Sequence, residues 1–305
     1  MPSSAQPEAG TAVRYRVRHS SAYRYGQEIM LAHHLLHLAP RAAPTQVVSS
    51  FRLDIQPPPS LMSEHCDYFG NPTTYVELHD PHLKLDVVTE IEIDVAPAAL
   101  GGPDIPWEEL RCQLLDPPDA SARDASAFAF GSPMIAFNGQ LRDYALVSFT
   151  PGRGVRDAAL ELARRIHADF VFDPTATTIA TPVGEVFANR RGVCQDFAHL
   201  GISCLRSLGL AARYVSGYLR TVPPPGQERA AGADATHAWL AIWCGGDNWL
   251  DLDPTNGRLG STDLITLAWG RDYGDVSPLQ GVILGSNIQY LTVSVDVAEA
   301  ASEPA

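Results

Sequence analysis

The run Arg190-Arg191-Gly192-Val193-Cys194-Gln195-Asp196-Phe197 decides how this chain folds. A glycine-containing loop delivers a cysteine to the first turn of a helix. Beyond it Phe197, Leu200 or Gly201, Cys204, Leu205 and Leu208 recur on one apolar stripe, and Gly209 ends it. At a helix start the unpaired backbone N–H groups and the positive end of the dipole favour an anion. A cysteine gains from that placement, because the thiolate is the nucleophile and a free thiol has a pKa near ~8.5. The same N–H groups can form an oxyanion hole. An isolated cysteine is more often a small core residue. Cys194 precedes the stripe instead of lying in it, which argues against that reading. Cys204 lies within the stripe and suits it, and Cys66, Cys112 and Cys244 are read likewise.

Strand patterns follow the helix at Ala212–Leu219, Ala235–Trp243 and Trp249–Leu252, and Gly245-Gly246-Asp247-Asn248 is a hairpin turn between the last two. Before it, Val155, Ala159, Leu162 and Ile166 recur at helical spacing. Thr181-Pro182 reads as an N-cap and first helical residue of a short helix ending near Asn189. Helices followed by an antiparallel sheet predict an α+β core over residues 133–297, closed by a strand through Leu291, Val293, Val295 and Val297.

Residues 11–97 alternate instead. Val13, Tyr15 and Val17 interleave with Arg14, Arg16 and Arg18, and turn residues such as Phe69-Gly70-Asn71-Pro72 punctuate the runs. This predicts an N-terminal β-sandwich. Leu83, Leu85 and Val87 read as slipped in phase against Ile91, Ile93 and Val95 past Val88, which predicts a bulge. Residues 98–132, rich in Pro, Gly, Asp and Ala, read as a linker with a little helix. Residues 1–10 and 298–305 read as disordered tails.

A nucleophilic cysteine needs a proton acceptor. Of ten histidines, His237 stands at the start of a strand after a mobile-looking Pro/Gly loop, Pro223 to Gly232. A hairpin turning about Gly245 would set Asp253 opposite it on one face. The carboxylate's task is to accept the second ring N–H and steady the imidazolium. Asp253, at a strand end before Pro254, suits that task, with Asp251 on the same face as a rival that also reads as a solvated strand residue.

Other residue clusters carry less. His33, His34 and His37 lie on a sandwich strand with no carboxylate or cysteine near in sequence, and read as surface or packed histidines, as does His65 beside Cys66. Asp196 reads as a helix cap. Arg190 and Arg191 either attract an acidic substrate or balance local charge. A formal charge of -13 argues against nucleic-acid partners. Five widely spaced cysteines without a CxxC argue against a disulfide framework or a zinc ribbon. With no apolar run for a membrane span or signal peptide, residence in the cytoplasm is the expectation.

Taken in order, Gly192-Val193-Cys194-Gln195-Asp196-Phe197-Ala198, Thr236-His237-Ala238-Trp239 and Trp249-Leu250-Asp251-Leu252-Asp253-Pro254-Thr255-Asn256 resemble the bacterial transglutaminase-like superfamily. Ala268-Trp269-Gly270-Arg271-Asp272-Tyr273 resembles its C-terminal segment, and Tyr15 to Tyr25 with Asp67-Tyr68-Phe69-Gly70-Asn71 its N-terminal β-domain. The resemblance implies a papain-like α+β core with an N-terminal β-sandwich. It implies Cys194, His237 and Asp253 as the catalytic residues, the Asp-Pro-Thr motif selecting Asp253 over Asp251. It further implies acyl transfer from a peptide or protein amide through a thioester, with no metal or organic cofactor. Hydrolysis and transamidation both remain open. So do a non-catalytic binding module on the same fold and an acyltransferase using a thioester donor, in the manner of arylamine N-acetyltransferases.

Overall fold

The computed structural model describes residues 12–98, 101–221, 235–286 and 288–300. The expected tail at 1–10, the Pro223–Gly232 loop and residues 301–305 lie outside them.

The N-terminal half is built from β1 (Val13–Ile29), β2 (Leu31–Leu36), β3 (Gln46–Gln56), β4 (Leu61–Cys66), β5 (Pro72–Leu78) and β6 (His82–Val95). The alternation seen in the sequence holds on β1, where Tyr15 and Val17 are buried while Arg14, Arg16 and Arg18 point out and pair across the strand with Asp94, Glu92 and Glu90. The bulge expected past Val88 is not there. Register between β1 and β6 runs unbroken from Val95 to Lys84, and Thr89, fully buried, keeps the inward phase between Val87 and Ile91. A polar residue in an inward position imitated a slip. The irregularities fall instead opposite Arg24–Ile29 and, on β3, between Val48 and Ser50.

Next come α1 (Trp107–Leu115), α2 (Ala120–Ser126), α3 (Gly139–Leu146) and α4 (Val155–Asp169), then β7 (Val171–Phe172), α5 (Val183–Asn189), β8 (Arg191–Gly192) and α6 (Cys194–Ser207). The stretch expected to be a linker is part of the core. Trp107, Leu110, Leu114, Ala122, Ala125 and Phe128 are buried with α4 and α6. The buried Arg206 of α6 donates to the carbonyls of Phe130, Ala212 and Arg271, fastening the end of that stretch. Pro182 rather than Thr181 caps α5, because the Thr181 hydroxyl is taken by the Thr178 N–H.

The chain ends with β9 (Ala212–Leu219), β10 (Ala235–Trp243), β11 (Trp249–Asp253), β12 (Arg258–Leu259), β13 (Leu264–Gly270), α7 (Tyr273–Val276), β14 (Leu279–Leu284) and β15 (Gln289–Glu299). The core sheet is antiparallel in the order β12-β11-β10-β9-β13, with α6 packed on Leu240, Ile242, Leu250 and Leu252. The core does not run to 297 as expected. β14 pairs with β2 and β15 with β1, so the last strands complete two four-stranded sheets, β14-β2-β5-β4 and β15-β1-β6-β3. Residues 298–300 belong to that pairing, with the Ala300 N–H donating to the Arg14 carbonyl. The fold is therefore α+β, a papain-like core with a β-sandwich closed by both ends of the chain. Among the described residues no helix is long and apolar enough to cross a membrane.

β13 is an edge of the core sheet, and an unpaired edge invites association. The sandwich covers it. The Gln46 side-chain amide donates to the Thr266 carbonyl and accepts from the Thr266 N–H. Asn71 does the same at Trp269. The Arg41 N–H donates to the Leu267 carbonyl.

Candidate active site

The loop before α6 is fixed from both sides. β8 pairs in parallel with β7, and the Asp173 N–H donates to the Gly192 carbonyl. Val193 is the extended N-cap and Cys194 the first helical residue, half-buried. Asp196, one turn in and buried, bends back: its Oδ2 accepts from the Val193 N–H at 2.8 Å and from the Thr177 hydroxyl at 2.6 Å. A carboxylate at this position satisfies one of the helix's orphan donors and complements the dipole. Gly192 is needed for close approach, since a Cβ there would lie 2.6 Å from Asp196 Oδ2. Arg190 takes the left-handed conformation (φ 54°) that ends α5 and lays its guanidinium over the rings of Phe170 and Phe187. Arg191 pairs with Asp173 at 3.1 Å. Neither arginine is held toward Cys194 by these contacts; both organise the loop that carries it.

His237 and Asp253 come from neighbouring strands. The β10–β11 register pairs Leu240 with Leu252 and Trp243 with Trp249, so the hairpin is centred on Gly246 and not Gly245. Asp253 is thus diagonal to His237, not directly opposite, and the imidazole bridges the offset. Its Nε2 lies 3.0 Å from Asp253 Oδ2. Nδ1 is then the nitrogen left on the side away from Asp253, and Cys194 is near enough to the ring to favour its charged form. Burial pulls the imidazole toward its neutral form, but the bond to Asp253 and the nearness of Cys194 outweigh it and raise its pKa to about 9. Trp239 backs the ring, with centroids 6.2 Å apart and planes 28° from parallel.

Asp253 is fully buried and fully engaged. Its Oδ1 accepts from the Thr255 and Asn256 N–H groups at 3.1 and 3.2 Å, and its Oδ2 also accepts from Asn256 Nδ2 at 2.6 Å. Burial alone would raise its pKa, but the bonds from His237 and Asn256 hold it below the ordinary carboxylate value. Asn256 was not singled out from the sequence. Its signal is local: an asparagine three residues after the aspartate, past Pro254, at the right reach to return to the carboxylate. A sulfur, an imidazole and a buried carboxylate in this order can hold a thiolate–imidazolium pair and pass a proton to a leaving group.

The remaining candidates lie elsewhere. His33 bonds Tyr75, His37 bonds the Ser277 carbonyl, and buried His34 has neither ring nitrogen partnered, its pKa pushed down to about 4 by burial. Cys204 and Cys244 are buried, their thiols pushed up to about 12 by burial. Cys66 and Cys112 are exposed, not packed as expected, because Cys66 ends the edge strand β4 and Cys112 faces out of α1. Asp251 is not solvated: it is half-buried, and burial pushes its carboxyl up, partly offset by Arg213.

Fold and sequence agree on the class. Residues 15–94 match the bacterial transglutaminase-like N-terminal region and residues 148–254 the transglutaminase-like superfamily, and the chain belongs to that superfamily. It is 41% identical over 301 residues to an uncharacterised protein of Mycobacterium tuberculosis (strain H37Rv), covering 95% of this chain and 94% of that one. Over 97 residues, 31% of this chain and 14% of the other, it is 32% identical to a protein-glutamine gamma-glutamyltransferase of Pseudomonas aeruginosa. A crystal structure of a candidate cysteine protease from Cytophaga hutchinsonii shares the fold, with a TM-score of 0.76 at 20% identity, over 97% of this chain and 93% of that one.

Proposed function

We propose that this chain is a cysteine acyl-transfer enzyme with Cys194 as nucleophile, His237 as base and acid, and Asp253 as the group that orients and charges the imidazole. The observation that carries the reading is the His237 Nε2–Asp253 Oδ2 bond of 3.0 Å on an imidazole whose charged form is also favoured by Cys194, the first residue of a helix. In the reaction the sulfur attacks the carbonyl carbon of a peptide or protein amide. Helix N–H groups stabilise the oxyanion. Imidazolium gives its proton to the departing ammonia or amine, and a thioester on Cys194 remains. His237, now neutral, takes a proton from water or from a primary amine, which attacks the thioester and releases acid or new amide. The family membership and the likeness to a glutamine acyltransferase over 97 residues support an amide donor.

The test follows ammonia released from a glutamine peptide, with and without an added primary amine, using Cys194→Ala as blank. Incorporation of the amine assigns transamidation. Release of ammonia or cleavage of a backbone amide without incorporation assigns hydrolysis. If the Cys194→Ala chain performs the reaction as fast as the parent, the proposal is wrong.

A further inference from the structure

Alternate residues of a strand share a face, so Ala241 and Asp251 lie on the face of His237 and Asp253, farther along the sheet. Ala241 pairs with Arg213 on one side and Asp251 on the other. Its single methyl is fully buried among Trp239, Trp249 and Trp269, and Arg213 and Asp251 on either side form the floor. Over that floor lies a cavity of about 1010 Å³, walled by α2 and by Thr45 and Phe69 of the sandwich domain. Cys194, His237 and Asp253 do not line it.

Arg213 has an unusual setting there. Its guanidinium carbon sits 4.2 Å from the Trp249 ring and 3.6 Å from the Trp269 ring, and Arg41 covers the other face of Trp269. Phe128 meets Trp249 edge-on at 5.5 Å, and Phe69 lies 5.7 Å from Phe128. A guanidinium packed against indole rings keeps its in-plane N–H donors for hydrogen bonding. Among the described residues those donors make no hydrogen bond and no ion pair, and Nε is shut off from solvent. The buried Nε–H has no acceptor, which is costly, and Asp251 answers the charge without a hydrogen bond, so the terminal N–H groups are left to an in-plane bidentate acceptor in the cavity.

We infer that this cavity is a second binding site, taking a monocarboxylate with an aromatic or apolar body, held in the plane of Arg213 between Trp249 and Trp269. A carboxylate matches the fork of the guanidinium, and the aromatic walls take the body. A phosphate dianion fits worse, because Asp251 on the floor and Asp124 and Asp247 on the lining repel it. The same chemistry is offered by a free organic acid and by the C-terminal carboxylate of a peptide. The site is independent of the reaction proposed for Cys194.

Calorimetric titration of the full chain carrying Cys194→Ala tests it with 4-phenylbutyrate and 4-phenylbutyramide, with glycyl-phenylalanine and its amide, and with inorganic phosphate. At least one acid is expected to bind at least tenfold more tightly than its own amide. Binding of phenylbutyrate alone identifies a free acid as the source, and binding of the dipeptide identifies a peptide terminus. Arg213→Gln is expected to remove the preference for acid over amide. Ala98→Trp, made at an exposed position on the cavity lining, is expected to weaken binding at least tenfold without altering the melting temperature. Equal binding of acid and amide, no binding of either acid, phosphate binding as tightly as the acids, or indifference to Ala98→Trp would each overturn the inference.

Discussion

Asp253 has two oxygens and four donors reaching them, which leaves it no freedom to turn away from His237. Asn256 supplies two of the four, one from its backbone and one from its side chain, and Asn256→Ala, which removes only the side-chain donor, should loosen the carboxylate at a cost of about 1–3 kcal/mol. Turnover should fall by about tenfold or more while Cys194 stays accessible, measured as kcat on an amide substrate. The pH behaviour follows from His237. Its pKa is raised from 6.5 to about 9, so the fold favours the charged ring. The associated stability is fully present below pH 6.5 and is lost as pH rises through about 9. Activity that needs imidazolium to protonate the leaving amine should therefore decline on the alkaline side near pH 9. In Asp253→Asn that limb should move toward 6.5, with a rate loss of about 10² or more. An alkaline limb that does not move would remove Asp253 from its role. Cys194, His237 and Asp253 were legible because each stands at an element boundary inside a motif. Asn256 was not, because its part depends on how the chain turns after Pro254.

Helix α6 is the element on which the site depends. Its apolar stripe and its glycine stop made its extent readable, and the structure begins it at Cys194. What the sequence did not reveal is how its N-terminus is held. Asp196 reaches outside the helix to Thr177, in a loop whose distance in space no periodicity encodes. Asp196→Ala strands the Val193 N–H and the Thr177 hydroxyl, and should lower stability by about 1–3 kcal/mol, read in a thermal or denaturant melt. Gly192→Ala should cost a similar amount, because its methyl would strike the same carboxylate. Helices α1 and α2 were read as linker for a physical reason: each is short and preceded by proline, the apolar residues of α2 are all alanine, and the Trp107, Leu110 and Leu114 stripe of α1 ends after two turns.

Over the whole molecule, the sandwich was recognisable from alternation, but its partners were not. Alternation assigns a strand its faces and says nothing about its neighbour, so the return of β14 and β15 to the N-terminal sheets was hidden. The sandwich also guards the transglutaminase-like half through Gln46, Asn71 and Arg41 on the edge strand β13. Ending the chain after Pro278 removes both closing strands and bares β1 and β2. Such a chain should aggregate at concentrations where the parent does not, as light scattering would record. Asn71→Ala, which removes the bonds of that side chain to Trp269, Asp67 and Arg41, should leave the chain soluble but lower its melting temperature.

The central claim is that the fold turns Cys194, alone among the five cysteines, into a nucleophile. Alkylation by iodoacetamide at pH 6, mapped by peptide mass spectrometry, tests it without a known substrate. Cys194 should be modified at least tenfold faster than the exposed Cys66 and Cys112, Cys204 and Cys244 should stay unmodified, and His237→Ala should erase the advantage. Modification of Cys194 no faster than Cys66 or Cys112, or an advantage that survives His237→Ala, would contradict the account.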